Sequence, residues 1–367
     1  MKKLTFISCA FLLSANLCHA QGCIAIRNIT SFGEFAQLGY QQSADQWVMD
    51  INSRYFKAYN VFQGTVKKTP ADLRSGVTLY ESTTNFELTR LLNNNWAISL
   101  DMPIDANETA GELEHASGDY HTTHAFGLAD MRLTVYKWLL GATSSGRGNI
   151  QLGVGIKFPT GNYRTEDYFY TSKTDPTYRQ SFPVNVAIQL GDGGTGITTQ
   201  LNAFYFFNKD ISVYGNFFYL ISPKDQNGVP AWPPGLIDSA TMALFHKATY
   251  DVNSVPDNYS LRAGANFLFG NFVATAGLRY EGAPAHDLIG GSDGLRRVGH
   301  IFSFEPGAQY KFKKSLLYCF VTLPLARATI ATVPDERIAA ITGTPLSITP
   351  GHFANFLVYV GYTFTFK

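Results

Sequence analysis

Charged side chains recur at alternate positions inside apolar stretches of this 367-residue chain. Successive side chains of a strand point to opposite faces, so such charges share one face and the apolar residues share the other. Ten of them form a candidate lumen or constriction set: Asp50, Arg54, Asp101, Asp130, Arg132, Lys157, Arg262, Arg279, Glu281 and Glu305. Buried charges are costly unless paired or hydrated. The set predicts either a charged constriction that selects solutes or a lattice of ion pairs. The equal numbers of positive and negative groups favour the lattice. Both can coexist along a small water path.

Metal and cofactor chemistry has little support in the sequence. His121 and His124 are three residues apart, which on a strand puts their rings on opposite faces, and we expect them in a loop. The loop carboxylates do not follow a calcium-loop spacing, so turn formation explains them better. They are Asp192, Asp257, Asp287, Asp293, Asp335 and Glu336. Gly191–Gly194 lacks the lysine and helix start of a phosphate loop. We predict no metal and no cofactor.

Alternation with a period of two residues positions the charged set. Ile150, Leu152 and Val154 lie on one face of such a segment, and Asn149 and Gln151 on the other. About twelve segments repeat this pattern, which predicts twelve strands. They are 46–59, 76–91, 95–104, 128–139, 149–159, 196–207, 210–221, 259–269, 272–281, 299–312, 316–326 and 354–366. Fourteen strands are possible if the segments 160–195 or 222–258 contain another hairpin.

The connections alternate between short turns and long polar loops. Short turns occur near 93–95, 208–209, 270–271 and 313–315, with a slightly longer one at 141–148. Long loops lie near 60–75, 105–127, 160–195, 222–258, 282–298 and 327–353. Short periplasmic turns, long extracellular loops and aromatic residues at strand ends are typical of outer-membrane barrels. The loop 222–258, with Trp232, Pro233 and Pro234, is the best candidate for a lid.

Composition agrees with an exported all-β membrane protein. Charged residues make up 16% of the chain, and after the first twenty residues no apolar run is long enough for a spanning helix. An antiparallel transmembrane β-barrel is the other structure that satisfies every backbone group in lipid. The chain has 29 basic and 28 acidic residues, a balance that argues against nucleic acid as a partner.

The amino terminus has the build of a secretory signal. Lys2 and Lys3 precede an apolar run that ends before Ala20. We therefore predict a signal peptide at 1–20, cleaved near Ala20, a periplasmic segment or small plug at 21–45, and a barrel at 46–367. Lipid attachment at Cys23 is a weaker alternative, and pairing of Cys23 with Cys319 stays open, with two unpaired cysteines favoured.

Several phrases together resemble a known family. They are 21–27 (QGCIAIR), 129–134 (ADMRLT), 148–153 (GNIQLG), 157–161 (KFPTG), 189–196 (QLGDGGTG), 254–257 (SVPD) and 286–294 (HDLIGGSDG). The chain is similar to outer-membrane transporters grouped as the phenol meta-cleavage degradation pathway family, in the form common in Bacteroidetes. The resemblance implies uptake of small, hydrophobic or aromatic compounds, without establishing phenol as the cargo, and carries no catalytic set.

These observations predict passive diffusion of small molecules across the outer membrane of a Gram-negative bacterium. The expected partners are membrane lipid and lipopolysaccharide, a small-molecule solute and the outer-membrane assembly machinery. One alternative is a lipid hydrolase, because His115–Ala116–Ser117 has the spacing found in hydrolases related to outer-membrane phospholipase. It lies in a predicted loop without a rigid scaffold, so we predict no enzyme. A closed structural or adhesive barrel is the other alternative. The sequence leaves open the solute, the oligomeric state and whether 21–45 blocks the lumen.

Overall fold

The computed structural model describes residues 45–69, 77–112, 114–140 and 147–367. Its strands, in chain order, are β1 (Trp47–Ala58), β2 (Asn60–Gln63), β3 (Val66–Lys67), β4 (Thr78–Leu91), β5 (Trp96–Gly111), β6 (His121–Leu128), β7 (Arg132–Trp138), β8 (Gly148–Lys157), β9 (Glu166–Tyr170), β10 (Arg179–Pro183), β11 (Gly196–Phe206), β12 (Ile211–Ile221), β13 (Gln226–Pro230), β14 (Val252–Ser254), β15 (Asn258–Phe269), β16 (Phe272–Ala283), β17 (Gly299–Lys311), β18 (Ser315–Thr329), β19 (Gly351–Phe353) and β20 (Phe356–Phe366). Two helices, α1 (Ser239–Lys247) and α2 (Val333–Thr342), lie in the long loops. The predicted signal peptide, its cleavage site and the segment 21–44 fall outside the described residues.

Twelve strands close into one antiparallel barrel, as the alternation predicts. They are β1, β4, β5, β7, β8, β11, β12, β15, β16, β17, β18 and β20. The barrel closes at β1, where Trp47 lies opposite Phe366 on one side and Arg90 on the other. Each barrel strand therefore has a neighbour on both sides, which leaves no open edge in lipid. None of the helices in the described part of the chain is long and apolar enough to cross a membrane.

The two faces of the barrel wall differ as the alternation predicts. On β8, Val154 is 60% exposed and Ile156 47%, whereas Gln151 and Lys157 are buried. The same contrast recurs around the wall, for example at Leu278 and its buried neighbour Arg279. The apolar side chains thus form the outer surface and the polar side chains surround the lumen, the arrangement that lipid requires.

Aromatic residues at the strand ends only partly follow the expected rim. Tyr55, Trp96 and Phe312 face outward and are 42%, 41% and 47% exposed. Phe56 and Trp138, which also lie near strand ends, are instead buried, at 0% and 2% exposure. Both occupy inward positions of the alternation, so they fill the lumen ends.

Glycines on the inner wall lie beneath aromatic rings from the neighbouring strand. Gly361 is directly opposite Tyr318, and a Cβ atom at Gly361 would overlap that ring. Gly307 has the same relation to Phe320, and a Cβ at Gly153 would lie 2.7 Å from the ring of Tyr136. Aromatic rings that cover glycines stabilise twisted sheets and fix the register. These rings therefore lie flat against the wall.

The region 105–127 is not the long polar loop that the sequence predicts. Strand β5 continues to Gly111 and pairs with β6, so His121 and His124 lie on a strand. Their rings do point to opposite faces, since His124 is exposed and His121 is half-buried. The lower half of β5 pairs instead with β7, which begins at Arg132 rather than at 128. Pro103 lies where β5 changes its partner from β7 to β6. It has no N–H to donate, and its carbonyl accepts the N–H of Ala129 in the connection between β6 and β7.

The long loops contain local structure that the sequence pattern misses. Strands β9 and β10 pair with each other, as do β13 and β14, so both suspected hairpins exist. They form separate sheets outside the barrel, and the barrel therefore has twelve strands rather than fourteen. Trp232 packs with Phe245 of α1, Tyr250 and Leu295 in an extracellular apolar cluster. The lid role of the loop 222–258 stays a prediction.

Candidate functional site

The ten candidate lumen residues all lie on the inner side of the barrel wall. Nine are at most 7% exposed. Asp130 is half-buried and lies in the short connection between β6 and β7. Each makes a hydrogen bond or ion pair with another polar side chain. Their role as a selective constriction stays a prediction, but their positions define four polar clusters.

The first cluster is centred on Glu305 of β17. Its Oε1 lies 2.6 Å from Nη2 of Arg262, and its Oε2 lies 3.4 Å from Nη1 of Arg279. Arg279 also contacts Glu281 at 2.6 Å. Thr322 donates to Oε2 of Glu305 at 3.1 Å. Two arginines and two carboxylates thus neutralise one another across three adjacent strands.

The second cluster joins β5 and β7. The guanidinium of Arg132 forms an ion pair with Asp101, which also accepts a hydrogen bond from Asn85 at 2.5 Å. The same guanidinium lies 5.7 Å from the centre of the Phe218 ring. A cation over an aromatic face is attracted by its quadrupole. The charged group of Arg132 and the apolar ring of Phe218 therefore lie side by side on the inner wall.

The third cluster brings a loop carboxylate into the mouth of the lumen. Nζ of Lys157 lies 2.9 Å from Asp130 and 2.5 Å from Asp192. Asp130 also accepts the backbone N–H groups of Gly161 and Asp192. The sequence identifies Lys157 and Asp130 as lumen residues but places Asp192 only among turn-forming acids.

The fourth cluster lies near β1. Arg54 is 3.8 Å from Glu81 and donates to Thr83 at 3.0 Å, and Thr83 donates to Asp105 at 2.7 Å. Asp50 accepts hydrogen bonds from Tyr318, Asn52 and Thr363. We expected Asp50 and Arg54 here.

Sequence reasoning missed three acids of the inner wall, which are Glu81, Glu87 and Asp105. All are buried, and Glu87 accepts a hydrogen bond from Ser99 at 2.9 Å. Glu81 and Glu87 could have been found, since they share the inward parity of a predicted strand. Asp105 could not, because β5 extends into a segment that resembles a loop.

A cavity of about 200 Å³ lies at the extracellular end of the lumen. Its wall includes the charged groups Arg132, Lys157 and Asp192 and the apolar groups Phe218 and Leu220. An engineered apolar cavity of about 150 Å³ binds benzene, so this one has room for a monocyclic molecule. Four of the phrases that carry the family resemblance, 129–134, 157–161, 189–196 and 254–257, contribute to this wall.

The segment 184–192 folds into the mouth and forms one side of the cavity. Ile188 and Leu190 are buried, and the carbonyl of Ile188 accepts from Asn107 at 3.5 Å. Asn185 donates at 2.5 Å to Glu114, which also accepts from Thr109. Burial raises the pKa of Glu114, although both hydrogen bonds oppose the increase. The segment is thus attached to the wall at several points and narrows the entrance.

The hydrolase alternative gains no support from the geometry. Nδ1 of buried His115 accepts the backbone N–H of Tyr170 at 3.2 Å, and the Ser117 hydroxyl accepts the N–H of Asp119 at 3.3 Å. A serine nucleophile needs its hydroxyl within reach of the base. Burial and the neighbouring His121 lower the pKa of His115 to about 4. Its contacts instead attach β9 to the end of β5.

The loop carboxylates act as local anchors. Asp257 accepts the N–H groups of Ser222 and Leu288, and Asp287 contacts Arg296 at 2.8 Å. Asp335 belongs to a capping box at the start of α2. No group of three or more potential metal ligands occurs among the residues that the structure describes. Cys319 is half-buried on β18, whereas Cys23 lies outside those residues, so their pairing stays open.

No protein-family profile matches the chain, and no curated protein matches it. Among solved structures, it is similar to an outer-membrane channel from Pseudomonas putida F1, with a TM-score of 0.55 and 12% identity over 89% of this chain and 97% of that chain. A Pseudomonas aeruginosa FadL homologue aligns with a TM-score of 0.41 and 8% identity, over 94% of this chain and 98% of its own. The Ralstonia pickettii toluene transporter TbuX gives 0.40 and 10%, over 96% and 100%.

The first likeness shows a shared fold, and the closed twelve-stranded wall with its apolar exterior agrees with it. The chain is therefore an outer-membrane β-barrel. Its assignment to the phenol pathway family stays a prediction.

Proposed function

We propose that this barrel is a passive channel for small molecules, located in the outer membrane of a Gram-negative bacterium. The observation that carries the proposal is the cavity at the extracellular mouth, which joins charged and apolar groups above a polar inner wall. Lipid-facing strands need only an apolar exterior, whereas a charged and partly hollow interior suits a solute path. The ten inward charges would then contribute to solute selection.

Conductance of the purified protein in planar lipid bilayers tests this function. We expect discrete channel events, with a conductance changed by Arg132→Ala or Arg279→Ala. Heat-dependent mobility on electrophoresis would confirm that each variant is folded. A folded barrel that never conducts, and that does not admit small solutes into liposomes, would refute the channel.

A size change inside the cavity gives a sharper test. Ala187 lies in the cavity wall, whereas Ala308 of β17 faces outward and is exposed. We expect Ala187→Trp to reduce conductance strongly, because the indole ring would occupy much of the cavity. Ala308→Trp adds the same ring to the lipid-facing side and should leave conductance unchanged. Equal effects of both variants would place the path elsewhere.

The solute class and the other partners are part of the proposal. The cavity volume suits a monocyclic molecule, which agrees with the small hydrophobic or aromatic cargo implied by the family resemblance. Membrane lipid and lipopolysaccharide would contact the outer surface, and the assembly machinery would recognise the aromatic strand β20. Removal of the signal near Ala20 would be tested by sequencing the amino terminus of the mature protein.

A closed structural barrel is the second candidate function. The dense ion pairs around Glu305 favour it, since both arginines and both acids are almost fully buried. Such a barrel would remain silent in bilayers with and without the Arg279→Ala change.

A further inference from the structure

The inner wall carries more acids than the sequence pattern suggests. The ten predicted residues contain equal numbers of acids and bases. The structure adds the carboxylates of Glu81, Glu87, Asp105 and Asp192 to the lumen and its cavity, and the cavity lining also adds Arg296 and Arg297. Among the residues that the structure describes, nine carboxylates therefore share this interior with seven cations.

Other charged groups near the interior do not remove this excess. Arg296 and Arg297 line the top of the cavity. Arg296 forms an ion pair with buried Asp287, and Arg297 interacts electrostatically with Glu114. Even if Glu114 is protonated, the interior keeps more acids than bases. Lys311 is half-exposed at the periplasmic end of β17. The sequence outside the described residues also has equal numbers of acids and bases once Lys2 and Lys3 are removed with the signal peptide.

Fixed charge has a large effect in a narrow interior. The charged side chains of the inner wall are buried, so they are screened less than charges on the surface. A lining with one sign in excess concentrates ions of the opposite sign, and rings of Asp and Glu are the usual basis of cation selectivity. The lining of the mouth cavity contains four acids and four bases. The excess lies below it, where Asp50, Glu87, Asp101, Glu281 and Glu305 share the wall with Arg54, Arg262 and Arg279.

We propose that the channel selects cations over anions and admits cationic organic solutes, such as small amines, more readily than carboxylates of the same size. This inference rests on the proposed channel function. The test substitutes Asp105 and Glu87, because each accepts a hydrogen bond from a hydroxyl group. Thr83 donates to Asp105, and Ser99 donates to Glu87. Asparagine and glutamine can accept the same bonds, so the charge can be removed while those bonds are retained.

The experiment measures the reversal potential of the channel in planar bilayers under a KCl gradient. We expect a potential that indicates several-fold preference for K⁺ over Cl⁻, reduced in the double variant Glu87→Gln/Asp105→Asn. Asp119→Asn is the matched control, because Asp119 is exposed on an extracellular loop, and it should leave the preference unchanged. Liposome swelling should be faster with benzylammonium than with benzoate, and the double variant should narrow this difference.

Three results would overturn the inference. They are a conducting wild type that prefers Cl⁻ or shows no preference, a folded double variant with unchanged selectivity, and equal swelling with both probes. Each leaves the channel itself intact, so it is distinct from failure of the proposed function. Absence of any conductance or swelling would remove both proposals together.

Discussion

Removing the negative charge of Glu305 tests whether the lumen clusters hold the barrel together. Its carboxylate is fully buried and contacts Arg262 at 2.6 Å and Arg279 at 3.4 Å. In Glu305→Gln, Arg262 loses the carboxylate that it contacts at 2.6 Å, while Arg279 keeps Glu281. Breaking a buried ion pair by removing one partner costs about 3–5 kcal/mol, mostly because a buried charge is left uncompensated. We expect a loss of folding free energy in this range.

An exposed ion pair provides the matched control. Arg90 contacts Asp45 at 3.2 Å, but the two side chains are 28% and 81% exposed. Exposed pairs contribute about 0–1 kcal/mol, so Arg90→Gln should change stability little. The double variant Glu305→Gln/Arg262→Met should recover part of the loss, because it removes both members of the closest pair.

The assay is reversible guanidinium unfolding in lipid vesicles, followed by tryptophan fluorescence and by electrophoretic mobility. The free energies of the wild type, both single variants and the double variant form a cycle. If Glu305→Gln is no more destabilising than Arg90→Gln, the lumen charges are hydrated rather than buried as ion pairs. The reasoning about the inner wall would then be wrong.

Three further predictions concern the wall and the loops. Gly361→Ala should reduce the free energy of unfolding by about 1–3 kcal/mol, because the added Cβ would overlap the ring of Tyr318. Gly215→Ala is the control and should be close to neutral in the same unfolding assay, because the nearest atom to its added Cβ lies at 3.9 Å. The pKa of His115 in the folded protein is lowered to about 4, so its contribution to stability is present above about pH 6.5 and is lost as the pH falls toward 4. Proteolysis of the segment 158–195, between β8 and β11, should accelerate over that interval, and His115→Gln should abolish this pH dependence. Thr332→Ala should cost α2 about 1 kcal/mol of local stability by removing its capping box, and faster amide exchange confined to this helix would show it.

The alternation of residue types was enough to predict the barrel. Its period of two residues separates an apolar face from a polar face in every long strand, and lipid permits only one arrangement of those faces. The strand β8 shows this directly, since Val154 faces out and Gln151 faces in as predicted. Turn and loop lengths then fixed the antiparallel order and the side of each loop.

Pairing between distant segments was decided only by the tertiary structure. Strand β6 forms because the upper part of β5 offers it an edge, and nothing local distinguishes His121–Leu128 from a loop. Asp192 reaches Lys157 because the segment 184–192 folds into the mouth, a contact between parts of the chain that the alternation does not relate. The sequence by itself determined which side chains face inward along each regular strand. Register, curvature and loop packing decide which of these side chains contact one another, because they set the distances between residues far apart in the chain. The excess of acids in the interior follows from those contacts.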